Sequence, residues 1–169
     1  MDYKIFKSIN QWAGRYPFVD KSMIMISQKM RYLFILLFII MWFRNKRGRR
    51  IVLHAGIASG MAVLLEWLIK RLYAKPRPFA VHRVQLLQPA PSKQNATFPS
   101  KHTALSFVAA TAVFIHKRAL GGILYLLASL TGFSRIWMGQ HYPSDIIGSA
   151  IIGSFTSIAA NAIGRGNQR

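Results

Sequence analysis

The sequence predicts an all-α fold: a polytopic membrane helix bundle of about five transmembrane helices, with an interfacial helix at the N-terminus. Two observations carry this. Of 169 residues, 52% are hydrophobic, and they cluster into blocks long enough to span or nearly span a bilayer. The basic residues, 23 Lys and Arg against 4 Asp and Glu, lie between those blocks. A soluble nucleic-acid binder of this charge would spread its basic residues over a polar surface. Here the excess charge instead suits anionic headgroups and an anionic ligand, and no nucleic-acid partner is expected. No cysteine is present, so disulfides and thiolate chemistry are excluded.

Taken in order, residues 1–20 place Ile5, Phe6, Ile9, Trp12 and Ala13 at helical spacing, with Lys4, Lys7 and Arg15 elsewhere. That suits a helix lying on the membrane surface. Five spans follow, at roughly 22–43, 51–73, 100–116, 119–137 and 145–164. The first contains Lys29 and Arg31, and its apolar run Tyr32 to Phe43 ends at a basic cluster from Arg44 to Arg50. This resembles a stop-transfer flank and not a cleavage site, so the chain is expected to stay in the membrane. No repeat is visible. Residues 1–169 read as a single domain, with 22–164 forming the bundle.

Orientation follows from the short loops. Arg44–Arg50, Lys117–Arg118 and the Arg165 and Arg169 tail fall at one end, which the positive-inside rule makes cytoplasmic. The long loop 74–99 then lies outside, rich in Pro, Gln, Ser and Asn. Trp67, Tyr73, Trp137 and Tyr142 are expected in the outer aromatic belt and Trp42 in the inner one. Gly121, Gly122, Gly148 and Gly153 are expected to allow close helix packing. Lys75 and Arg71 are expected to meet lipid phosphates, and His54 to hydrogen-bond inside the bundle. The Asn95-Ala-Thr97 sequon reads as incidental.

Three stretches hold most of the unusual residues: Lys70 to Arg77-Pro78, Pro99-Ser100-Lys101-His102, and Ser134-Arg135 through His141 to Asp145. The predicted topology brings all three to one membrane face. Arg77 and Arg135 offer planar forks suited to phosphate oxygens, and Lys70 adds a point charge. Ser100 stands where an N-cap should, so the amides after it would point at an anion. Lys101 either adds charge or faces headgroups. Glu66, four residues before Lys70, is read as its ion-pair partner. Asp145 is the only acidic residue expected near the cluster, so a two-metal site cannot be assembled and neither a metal nor another cofactor is expected.

The three stretches match, in order, the pattern Lys-x6-Arg-Pro, Pro-Ser-x-His and Ser-Arg-x5-His-x3-Asp, from Lys70 to Asp145. In this the chain resembles the type 2 phosphatidic acid phosphatase superfamily. Its short length and the Pro-Arg-Pro-Phe and Gly-Phe-Ser-Arg-Ile-Trp-Met-Gly-Gln-His-Tyr-Pro context around the motifs look most like the bacterial bacitracin-resistance type of undecaprenyl pyrophosphate phosphatase. Lys101 replaces the usual Gly of the second motif. The resemblance implies His141 as nucleophile forming a phosphohistidine, Asp145 orienting its ring, and His102 as general acid and base. It implies Lys70, Arg77, Ser100, Lys101 and Arg135 as phosphate binders, with Pro78, Ser134 and Glu66 in support. The expected substrate is undecaprenyl pyrophosphate, at the outer face of a bacterial cell membrane, during recycling of the cell-wall lipid carrier. Phosphatidylglycerophosphate, phosphatidate or diacylglycerol pyrophosphate remain open as substrates. A lipid phosphotransferase or a lipid-phosphate carrier remains open as a role. The partners implied are the lipid substrate and membrane lipids, with no obligate protein partner.

Overall fold

A computed structural model describes residues 1–90 and 96–166, with the side chains of 165 and 166 excepted. Among the described residues seven helices form: α1 (Asp2–Asn10), α2 (Pro17–Arg44), α3 (Lys46–Leu72), α4 (Pro78–Val81), α5 (Lys101–Phe114), α6 (Arg118–Trp137) and α7 (Pro143–Gly166). No strand occurs among the described residues. Local chemistry explains several ends. Proline opens α2, α4 and α7, where the missing N–H costs nothing. Asn45 caps α3 by accepting the Gly48 amide at 2.8 Å. Gly139, at φ +79°, closes α6, with the Gly139 amide donating to Ile136 O and the Gln140 amide to Arg135 O. That pair of bonds is a Schellman motif, and it turns the chain sharply before His141.

Among the described residues four helices, α2, α3, α6 and α7, are long and apolar enough to cross a membrane. The remaining expected span, residues 100–116, is realised as α5. It has only 14 residues, about 21 Å at the helical rise. It compensates by position: α2, α3, α6 and α7 all pack on it, and most of its side chains are buried. Small residues permit this. A Cβ on Gly121 would fall 2.2 Å from Phe114 Cα, and one on Gly153 the same distance from Ala104 O. Gly148 is similarly crowded by Phe98, whereas Gly122, expected at a packing contact, faces open space. The main apolar core gathers Phe34, Met41, Ile51, Val113, Leu124 and Ala128 from four helices, α2, α3, α5 and α6. Ile35, Leu36, Leu53, Leu64, Leu126 and Ile151 point outward and exposed. Outward Leu and Ile on every long helix match hydrocarbon as solvent.

The N-terminal helix does more than lie on a surface. Phe6 of α1 is buried beside Ile136 and Tyr142, and the Asn10 amide donates to Gln85 O and Trp137 O. Trp137 and Tyr142 are therefore not belt residues. Trp137 is buried and donates to Asp20 Oδ1 at 2.8 Å, and the Tyr142 ring packs on Phe6 at 5.6 Å. Trp67 and Tyr73 do face outward. The basic loops behave as expected: Arg47 donates to His116 O, drawing 44–50 and 116–118 to one end. Arg169, the Arg165 side chain and Asn95 lie outside the described residues.

Candidate active site

Seven of the sequence-predicted residues line one cavity of about 810 Å³: Glu66, Lys70, Arg77, Lys101, His102, Arg135 and His141. They arrive on five separate pieces of chain. Glu66 and Lys70 come from the last turns of α3, Arg77 from the turn before α4, and Lys101 and His102 from the first turn of α5. Arg135 is in the last turn of α6, and the Schellman turn swings His141 back beside it. Val63, Trp67, Arg71 and Ala96 complete the lining.

Charges here are held in place. Lys70 Nζ meets Glu66 Oε1 at 2.6 Å, the expected ion pair. Because Glu66 lines the cavity, Asp145 is not the sole nearby carboxylate. Arg135 donates from Nη1 to Ser27 Oγ at 2.7 Å, and its Nε is buried without a hydrogen-bond partner among the described residues. Arg71 stacks over Trp67. His141 is almost fully buried. Burial above all, then the nearby Arg135, Arg77 and Lys70, pushes its pKa well below the ordinary 6.5. The imidazole is neutral at physiological pH.

The expected direct bond between His141 and Asp145 is absent. His141 Nδ1 and Asp145 Oδ2 are 3.9 Å apart, too far for a hydrogen bond. Thr97 bridges them, its hydroxyl donating to Asp145 Oδ2 at 2.7 Å and lying 3.2 Å from His141 Nδ1. A threonine hydroxyl has one proton to give. If it goes to the carboxylate, Thr97 Oγ1 must accept from Nδ1–H, leaving Nε2 with its lone pair.

Asp145 itself is completely buried. It accepts the Tyr142 amide at 2.9 Å, half of a capping box that starts α7, and it meets Lys75 Nζ at 2.8 Å. Lys75, expected to meet lipid phosphates, is therefore engaged inside the fold, also pairing with Asp2 at 3.1 Å and Ser144. Asp2 in turn accepts the Ser144 amide and hydroxyl, so α1 is clamped to α7. Burial alone would lower the Lys75 pKa, but its bonds to Asp145 and Asp2 raise it. Burial likewise opposes Asp2, whose bonds to Ser144 and Lys75 still hold its carboxyl below the usual range.

Four predicted residues stay outside the cavity lining. Ser100 occupies the N-cap position of α5, but its side chain makes no capping bond. It is fully buried, its amide donating to Ser149 Oγ at 2.7 Å and its hydroxyl accepting from Thr103. Any anion there is left the amides that follow. Asp145 stands behind His141. Ser134 is buried, donating to Thr131 O, and Pro78 is buried at the start of α4. Thr97, Asp2 and Ser27 escaped the sequence reading as site residues because no spacing rule links them to the motifs, and Lys75, inside the first motif, reads in sequence as a lipid contact. Only the fold joins them to the site.

A second cavity of about 730 Å³ shares Val63, Lys101 and His102 with the first. Its other walls are mostly apolar: Phe34, Ile35 and Phe38 of α2, Gly60 of α3, and Leu105 and Ala109 of α5. A membrane bundle in which a cationic, two-histidine cavity shares a wall with an apolar groove is the arrangement expected of an enzyme of phosphorylated lipids. The chain belongs to the PAP2 superfamily, whose model matches residues 51–169. It is 36% identical over 153 residues to the undecaprenyl-diphosphatase BcrC of Bacillus subtilis, covering 90% of this chain and 78% of that one. The crystal structure of Aquifex aeolicus LpxE superposes with a TM-score of 0.81 at 29% identity, covering 95% and 94% of the two chains. The fold is shared with a transmembrane PAP2-type phosphatidylglycerolphosphate phosphatase from Bacillus subtilis (TM-score 0.68, 21% identity, 98% and 85% covered). The protein is thus a membrane-bound hydrolase of the lipid phosphatase class.

Proposed function

We propose that this chain converts undecaprenyl pyrophosphate to undecaprenyl phosphate through a phosphohistidine on His141, without a metal ion. One observation carries the reading: His141, oriented through Thr97, shares a cavity with His102, Lys70, Arg77 and Arg135. His141 Nε2 attacks the terminal phosphorus as the bond to the bridging oxygen breaks, and His102 protonates that leaving oxygen. The cations hold the equatorial oxygens, which carry most of the transition-state charge. Asp145, acting through Thr97, stabilises the imidazolium as the N–P bond forms. His102 then takes a proton from water, whose oxygen attacks phosphorus, releasing inorganic phosphate and neutral His141.

The substrate assignment rests on the similarity to the undecaprenyl-diphosphatase and on the groove beside His102, which suits a long apolar tail. The metal-free assignment rests on the donor set. Glu66 is paired with Lys70, Asp2 and Asp145 with Lys75, and Asp20 accepts from Trp137. No group of three metal-ligating side chains occurs among the described residues. The positive-inside rule supports a site on the extracytoplasmic side.

The deciding assay compares phosphate release from undecaprenyl pyrophosphate, phosphatidylglycerophosphate and phosphatidate in detergent with excess chelator. The expected result is the highest kcat/KM for undecaprenyl pyrophosphate, unchanged by chelator. Faster turnover of a glycerolipid would reassign the substrate. Loss of activity restored by one divalent ion would overturn the metal-free mechanism. Phosphate appearing on an added alcohol in place of water would mark a phosphotransferase, and binding without turnover a carrier.

A further inference from the structure

A third cavity, of about 490 Å³, lies at the other end of the bundle. It is formed by the first turns of α3, the turn after α5 and the last turns of α7, all remote from the ends that carry His102 and His141. Lys46, Arg47 and Arg50 line it, with His54, His116 and Asn161. No side-chain carboxylate can neutralise it. The chain has only four, and all are committed at the opposite end: Asp2 and Asp145 to Lys75, Glu66 to Lys70, and Asp20 to the Gly14 amide and Trp137.

Basic loops alone need no ligand, because a positive end suits an anionic leaflet. The cavity differs in having buried polar atoms that lack partners. Asn161 is 8% exposed, and its Oδ1 has no hydrogen-bond partner among the described residues. His54 Nδ1 is buried and also lacks one among the described residues. Such atoms cost free energy unless something fills the space. His54 lies one turn below Arg50 on α3, and its ring is 6.3 Å from that of His116. Gly164 passes so close that a Cβ there would fall 2.5 Å from His54 Nε2. Cations at the mouth and the hydrogen-bonding side chains of His54 and Asn161 inside match a phosphate group entering oxygen-first.

We propose that this cavity is a second phosphate site, which takes the phosphate of an anionic phospholipid headgroup or a free phosphate ion. Arg50 and Lys46 contact the charged oxygens, and His54 and Asn161 meet the group's remaining oxygen or hydroxyl. The site is separate from hydrolysis and stands whether or not the substrate assignment does.

The test uses full-length protein in a neutral detergent, with histidine rings isotope-labelled and the His54 resonance assigned through His54→Gln. Short-chain phosphatidylglycerol, short-chain phosphatidylcholine and inorganic phosphate are titrated separately. Saturable movement of the His54 signal with phosphatidylglycerol but not phosphatidylcholine is expected, and Arg50→Gln should weaken it about tenfold through loss of a charge-assisted contact. Arg44→Gln removes the same charge outside the cavity and should change the affinity by less than about twofold. Movement with inorganic phosphate as well assigns a free ion; movement with the lipid alone assigns a headgroup. Unchanged turnover of Arg50→Gln shows that the variant folds. A His54 signal indifferent to both phosphates overturns the site, as does equal weakening by Arg44→Gln, which would mean surface attraction only.

Discussion

His141 Nδ1 stands 3.9 Å from Asp145 Oδ2, and Thr97 Oγ1 fills the gap between them. The carboxylate therefore acts on the imidazole through a hydroxyl. On the proposed mechanism Thr97 is a positioning residue. Thr97→Val keeps the shape but breaks both bonds, and kcat should fall about a hundredfold with little change in KM. Thr97→Ser should restore most of the rate. Steady-state phosphate release decides it: full activity in Thr97→Val would mean that Asp145 reaches the ring directly during turnover.

The neutrality of His141 can be observed without substrate. Its pKa is depressed, so the ring should stay uncharged as pH falls through 6.5 and take up a proton only well below. Histidine-selective NMR, assigned with His141→Gln, reads this, and should find the proton on Nδ1. A ring that titrates near the ordinary value would contradict the burial and charge seen here.

The two imidazoles should respond differently to the leaving group. An anhydride expels a phosphate, which needs little protonation, whereas phosphatidate must expel an alkoxide. His102→Ala should therefore slow phosphatidate hydrolysis at least about tenfold more than pyrophosphate hydrolysis, while His141→Ala abolishes both. Equal damage across the two substrates would remove His102 from the general-acid role.

The cluster of Asp2, Lys75 and Asp145 should show in stability. Lys75→Gln leaves a fully buried carboxylate short of its cation, at a cost of about 3 kcal/mol; the more exposed Asp2→Asn should cost about 1 kcal/mol or less. The pH dependence has two limbs. The Asp2 pKa is lowered, so its contribution is present above the ordinary 3.8 and is lost as pH falls through the folded value. The Lys75 pKa is raised, so its contribution is present below 10.5 and is lost as pH rises through the folded value. Thermal unfolding in detergent should find both variants destabilised at neutral pH and Asp2→Asn less sensitive to acid. Variants as stable as the wild type would dissociate the cluster from the fold.

The helical membrane class was legible in the order of residues alone, because a long, continuously apolar block can satisfy its backbone in lipid only as a helix. That order also determined which cations and imidazoles meet. Lys70, Arg77, His102, Arg135 and His141 sit near ends of elements, and the order of those elements sends the ends to one face. The Glu66–Lys70 pair was legible too, since four residues make one helical turn. What tertiary structure alone decided is how the charges are held. Thr97, Lys75, Asp2 and Ser27 touch the motif residues across separations of up to 142 positions, and no local period encodes such contacts. The length of α5 was decided the same way: packing on four sides, and not hydrocarbon, surrounds it. Ser100 shows the limit most clearly, since its N-cap position follows from local sequence but its amide partner, Ser149, lies on another helix.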